Sequence, residues 1–154
     1  MGVSGCGKTT LGKALATFLE RPFIEGDAFH SKANVKKMKR GIPLNDEDRV
    51  PWLLNLNKKI LSLKNTDAVI ACSALKQSYR SLLSQKINSE KMIWVYLYSD
   101  FDTLKKRMEK REHFMPASLL ESQLEALEVP DEAIHIDATL ITKKQINQIQ
   151  PYLI

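Results

Sequence analysis

Residues 2–9 read Gly2-Val3-Ser4-Gly5-Cys6-Gly7-Lys8-Thr9 and fill every position of the pattern G-x-x-x-x-G-K-[ST]. Residue types in this order make a phosphate cradle. Glycines let the backbone approach phosphate oxygens without a clashing Cβ. Successive N–H groups point into one concavity, and the helix that follows adds its positive end. The expected nucleotide-binding set is Gly2, Ser4, Gly5, Cys6, Gly7, Lys8, Thr9 and Thr10. Lys8 brings a point charge to the β- and γ-phosphates, and the Thr9 hydroxyl can ligate Mg²⁺. ATP is the expected nucleotide, because no N-K-x-D sequence of a guanine-specific protein is present.

Four further clusters could act on a phosphate acceptor. Gly26-Asp27-Ala28-Phe29-His30 follows a short apolar stretch. A carboxylate at such a strand end can orient an acceptor hydroxyl and take its proton, so Asp27 is the expected base. The bland alternative is a turn or helix-capping Asp. His30 either touches the acceptor or only satisfies the loop. In Asn45-Asp46-Glu47-Asp48-Arg49 the acids suit a helix start, with Asn45 or Asp46 as the cap. Arg49 opposes the helix dipole there, which points to an acid partner or an anionic ligand. Lys76 and Arg80 are spaced i, i+4 and are expected on one helix face bordering the cleft, and Arg107 and Arg111 repeat that spacing. Arginines on a closing lid would spread transition-state charge and exclude water. The three histidines show no HxH or HxxxH spacing, so no transition-metal site is expected.

The elements that position these groups alternate. Helical spacing covers residues 8–20 (Leu11, Leu15, Phe18, Leu19), 31–40, a segment with Leu53, Leu56, Ile60 and Leu63, and 75–86. It returns at 101–111, at 116–127 and in a closing helix with Ile141, Ile146 and Ile149. Strands are expected at 22–25, at 67–72 and 92–97 as runs buried on both faces, and at 133–137. Alternation of this kind predicts an α/β fold with a parallel sheet. A phosphate loop ordinarily follows a buried strand, yet nothing precedes this one, so the first strand is expected to be missing from the chain.

The chain has 154 residues, a size typical of a single domain, and no repeat or linker divides residues 1–154. No apolar run approaches the roughly 18–20 residues of a membrane span, and no signal peptide is evident. Cys6 and Cys72 form no CxxC and imply no disulfide framework, so a cytoplasmic, reducing setting is the default. The net charge of +5 comes largely from scattered lysines. It suits solvated helix faces and a small anionic substrate better than nucleic acid or a membrane.

Taken together, these segments resemble the gluconate kinase (gluconokinase) family of small P-loop kinases. The matches are MGVSGCGKTT, GDAFH, Asn34 with Lys37 and Met38, GIPLNDEDRVPWL, CSALKQSYR and HFMPASLLESQLEALEVP, and they span nearly the whole chain. GIPLNDEDRVPWL and CSALKQSYR are specific, and neither is expected in shikimate, adenylate or adenylylsulfate kinases. The resemblance implies ATP- and Mg²⁺-dependent conversion of D-gluconate to 6-phospho-D-gluconate. It implies a three-layer, nucleoside-monophosphate-kinase-like fold with sheet order 2-3-1-4-5, a helical lid at about 101–127 and a homodimer. Carried over, Lys8, Asp27, Arg107 and Arg111 are catalytic. Asp27, His30, Arg49, Lys76, Arg80 and His113 bind the sugar acid, and Thr9 holds the metal. The lid departs from the family pattern: Arg111-Glu112-His113-Phe114 lacks the glycine of Arg-x-Gly-His-Phe. The alternatives are a related kinase with another acceptor such as shikimate, or a catalytically impaired nucleotide-binding protein.

Overall fold

Four short parallel strands carry the architecture in this computed structural model, which describes residues 1–63, 66–110 and 116–153. In chain order the elements are α1 (Lys8–Leu19), β1 (Phe23–Glu25), α2 (Lys32–Lys39), α3 (Asp46–Ser62), β2 (Val69–Ala71) and α4 (Gln77–Leu83). They continue with β3 (Val95–Tyr98), α5 (Phe101–Glu109), α6 (Leu120–Ala126), β4 (Ile134–Asp137) and α7 (Thr142–Ile149). β1 pairs with β2 in the register Ile24↔Ile70, and β3 with β4 in the register Leu97↔Ile136.

Residues 1–2 run between the two pairs. The Gly2 N–H donates to the Ser73 carbonyl at 3.2 Å, just past β2, and the Leu97 N–H of β3 donates to the Met1 carbonyl at 3.0 Å. The spatial order is therefore β1, β2, the Met1–Gly2 backbone, β3, β4. This is the expected 2-3-1-4-5 order, with only residues 1–2 at the central position. Carboxyl ends of all four strands face one edge, where open α/β sheets bind ligands.

Local sequence explains the helix boundaries. Asn45 caps α3 through a full capping box with Asp48, which resolves the choice between Asn45 and Asp46. Asp100 caps α5 by accepting from the Thr103 N–H. α1 ends where Glu20 enters the left-handed region at φ 52° and donates its N–H to the Ala16 and Thr17 carbonyls.

The core gathers Leu11 and Leu15 of α1, Trp52, Leu53 and Leu56 of α3, and Leu97, Leu104, Leu120, Ile136 and Ile149. Each fully buried leucine contributes about 2 kcal/mol. Met38, Leu44 and Leu119 form a smaller cluster under the loop between α2 and α3.

Several expectations are corrected. Phe18 is 51% exposed, because Leu11, Gly12, Leu15 and Ala16 form the inward stripe of α1 and leave it on the flank. Ile141 is the exposed cap before α7 and not part of its buried face. Val69 and Ile70 are half-buried where burial on both faces was expected, and only Ala71 of β2 is fully buried. The segment 116–127 divides into a 3₁₀ turn, Ala117–Leu119, followed by α6.

Candidate active site

The phosphate loop turns through positive φ at Gly5 (82°) and Gly7 (96°), conformations that a side chain would strain. It delivers its N–H groups to the start of α1. The Lys8 ammonium lies back across the loop and donates to the Val3 carbonyl at 2.9 Å. Thr9 Oγ1 donates to Glu25 Oε2 at 2.7 Å, which joins the start of α1 to the end of β1. A hydroxyl beside a carboxylate at the loop is an oxygen donor set that suits a hard divalent cation.

Asp27 follows directly. Gly26 makes its placement possible: a Cβ there would lie 2.5 Å from the Ala71 carbonyl oxygen, so only glycine lets β1 end this close to β2. The Trp52 indole N–H donates to the Gly26 carbonyl at 2.8 Å and fixes the same turn from α3. The His30 ring stacks on Trp52 with centroids 3.9 Å apart, and its Nε2 is 3.9 Å from Asp27 Oδ1. Burial pushes the His30 imidazole down to about 4, against an opposing pull from Asp27 and with a further push from Arg49. His30 is therefore neutral near pH 7, and its Nδ1 is buried without a hydrogen-bond partner among the described residues.

Arg49, on the fourth residue of α3, pairs with no acid among the described residues. Its Nη1 donates to the Tyr79 hydroxyl at 3.1 Å. Two acids of that first turn are engaged elsewhere: Asp46 by Lys76 at 2.9 Å and Asp48 by Lys37. Those bonds hold both carboxyls below their ordinary range, with the lysine hydrogen bond as the main cause in each.

One cleft brings together Lys8, Asp27, His30 and Arg49, with Ser4, Ser73, Ser122 and Gln123 on its walls. An adjoining, more open depression is lined by Arg49, Asp46 and Lys76. The expected shared face of Lys76 and Arg80 is not found. Lys76 caps α4, outside its helical turns. Arg80 is 5% exposed, and its Nη1 donates to the carbonyls of Ala74, Leu75 and Glu128. Three carbonyls converging on one guanidinium tie the loop after β2 to the segment after α6. Arg107 donates to the Ala138 carbonyl at 3.0 Å, beside the end of β4. Arg111 and His113 lie outside the described residues.

Other residues of the site escaped sequence reasoning. Gln123 of α6 accepts from the Ser4 N–H at 2.7 Å, so the segment before β4 touches the phosphate loop directly. Trp52, Tyr79, Glu25 and Gln123 all fall within or beside recognisable segments, but their partners are remote in sequence. A polar residue on an otherwise apolar helix face is the sequence signal for Gln123, which is buried.

A glycine-rich loop before a helix, parallel strands ending at its edge and an adjacent carboxylate define a P-loop kinase fold. Comparison with known proteins agrees. The shikimate kinase family model matches residues 4–145. The thermosensitive gluconokinase of Escherichia coli K12 is 48% identical over 133 residues, covering 84% of this chain and 70% of that protein. A solved gluconokinase from Sinorhizobium meliloti superposes with a TM-score of 0.87 at 39% identity, covering 99% of this chain and 87% of that one. A sugar kinase from Janibacter superposes at 0.90 with 43% identity, covering 99% and 90%. The chain belongs to the gluconokinase family.

Proposed function

We propose that this chain transfers the γ-phosphoryl group of ATP to the 6-hydroxyl of D-gluconate. The observation that carries this reading is the meeting of Lys8, Asp27 and Arg49 in one cleft. A phosphate-loop cation, a carboxylate and a cation without an ion-pair partner among the described residues suit a phosphoryl donor, an acceptor hydroxyl and an acceptor carboxylate in turn.

In this reading Asp27 orients the acceptor hydroxyl and takes its proton as the oxygen bonds to phosphorus. The bond from phosphorus to the β,γ-bridging oxygen breaks, and ADP leaves with the bond's electrons. Lys8 turns from the Val3 carbonyl to the transferring group, where its charge counts most in the transition state. Arg49 grips the sugar acid's carboxylate with its fork. His30, neutral, hydrogen-bonds a hydroxyl without adding charge beside Asp27. Thr9, with Glu25 behind it, would hold Mg²⁺, which when bound neutralises phosphate charge. Arg107 and Arg111 serve as the catalytic arginines of the lid and His113 as a ligand of the sugar acid, within a single domain over 1–154 whose lid spans about 101–127. Lys76 borders the sugar acid's entrance, and Arg80 supports the loop beside it.

The segments GIPLNDEDRVPWL and CSALKQSYR favour gluconate over shikimate as acceptor. No helix of the described residues is long and apolar enough to cross a membrane, and both cysteines are free and buried. Both facts accord with a cytoplasmic enzyme. A homodimer is the assembly the resemblance implies, and light scattering tests it. The function itself is tested by ADP release with ATP, Mg²⁺ and an acceptor panel. Gluconate-dependent turnover above that with shikimate or nucleoside monophosphates is expected. Folded protein that binds ATP but releases no gluconate-dependent ADP refutes it.

A further inference from the structure

Arg49 is held in an unusual way. Its guanidinium carbon lies 5.4 Å from the centre of the Tyr79 ring, and its Nη1 donates to the same residue's hydroxyl. The Tyr79 hydroxyl in turn donates to Asp46 Oδ1, and Asp46 accepts from Lys76 through both oxygens at 2.9 Å. The chain of bonds thus runs from Arg49 through a phenol to an ion pair at the rim. Tyr79 is 2% exposed, and Arg49 lines both the deep cleft and the outer depression.

The choice of a phenol has a chemical consequence. A carboxylate bound directly to Arg49 would neutralise it, and an incoming anion would have to displace that partner. A hydroxyl fixes the guanidinium by one nitrogen while leaving its charge and its remaining N–H groups uncommitted. Burial, followed by the bond to Asp46, raises the Tyr79 phenol above its ordinary value, so it stays protonated and its one proton goes to Asp46. The lone pair is then left for Arg49.

We infer that Tyr79 is a positioning residue for acceptor recognition: its hydroxyl holds Arg49 so that the open edge of the fork receives the carboxylate of an acidic sugar. This rests on the gluconate reading above and adds the residue that orients the carboxylate-gripping arginine. Tyr79 touches no reacting atom, so its effect should fall on acceptor binding and not on the chemical step.

The test is a double-mutant cycle read as gluconate KM, ATP KM and kcat for wild type, Tyr79→Phe, Arg49→Met and the double variant. Tyr79→Phe should raise gluconate KM about tenfold, as loss of a bond to a charged group predicts, with kcat and ATP KM changed less than about twofold. In the Arg49→Met background the same change should move gluconate KM less than about twofold, because its target is gone. Asp46→Asn, at the exposed end of the chain of bonds, should raise gluconate KM in the same direction by a smaller factor. It serves also if Tyr79→Phe folds poorly. A fall in kcat without a KM change, an unchanged KM, or independent effects in the cycle would overturn the inference. Wild type that turns over gluconate while the cycle fails defeats the role of Tyr79 alone. Wild type with no gluconate turnover defeats the gluconate reading and this inference with it.

Discussion

The buried neutral His30 makes a definite statement about stability against pH. Its folded pKa of about 4 lies below the 6.5 of an unfolded histidine. Between those values the unfolded chain binds a proton that the folded chain refuses. Stability from neutral His30 is therefore complete above pH 6.5 and is lost progressively as pH falls towards 4. At 1.36 kcal/mol per pH unit the full difference amounts to about 3 kcal/mol, of which about 2 kcal/mol is lost by pH 5. The carboxyls of Asp46, Asp48, Asp100 and Asp137 are also displaced, but downward from 3.8, so they act at lower pH. His30→Phe removes the titration while keeping a flat ring on Trp52, where the present stack has its planes 22° apart. Urea unfolding of both proteins at pH 7.5, 6.5, 5.75 and 5 gives the readout. Wild type should lose about 2 kcal/mol more than His30→Phe across that range. Parallel curves for the two proteins would refute the assignment of a refused proton to His30.

Asp27→Asn should lower kcat by about 100-fold or more while ATP affinity, measured by calorimetry, stays within about twofold; near-normal turnover removes Asp27 as the base. Asn57 is 5% exposed and donates to the Leu83 and Gln85 carbonyls at 2.7 and 3.0 Å, tying α3 to the end of α4. Asn57→Ala should cost about 2 kcal/mol in urea unfolding, and a cost under about 0.5 kcal/mol would show that those carbonyls find other partners. Burial pushes the Cys72 thiol up to about 12, and Cys6 is 1% exposed. An aromatic disulfide reagent at pH 8 should thus find almost no reactive thiol in folded protein and two after denaturation, whereas rapid labelling of native protein contradicts the burial.

Local rules carried the sequence a long way. The phosphate loop, a helix cap at Asn45 or Asp46 and the alternation of strands with helices depend on neighbours a few residues apart, where residue type fixes backbone conformation or hydrogen bonding directly. Asp27 could be placed at a strand end for the same reason. Where the local rule met a competing long-range partner, it failed. The i, i+4 spacing of Lys76 and Arg80 suggested one basic face, yet Lys76 is drawn to Asp46, thirty residues earlier. Arg80 is drawn inward by carbonyls as distant as Glu128. Arg49 was legible as an anomaly, a cation at the wrong end of a helix, but its Tyr79 partner was not. The contact between Gln123 and Ser4 spans 119 positions, and no periodicity encodes it. By itself, then, the sequence determined a phosphate-binding loop, an α/β frame and the acid and base types available to it. Only the tertiary structure decided which charges are spent on one another and which remain for a ligand. That is settled by distances across the packed core, and spacing along the chain does not contain them.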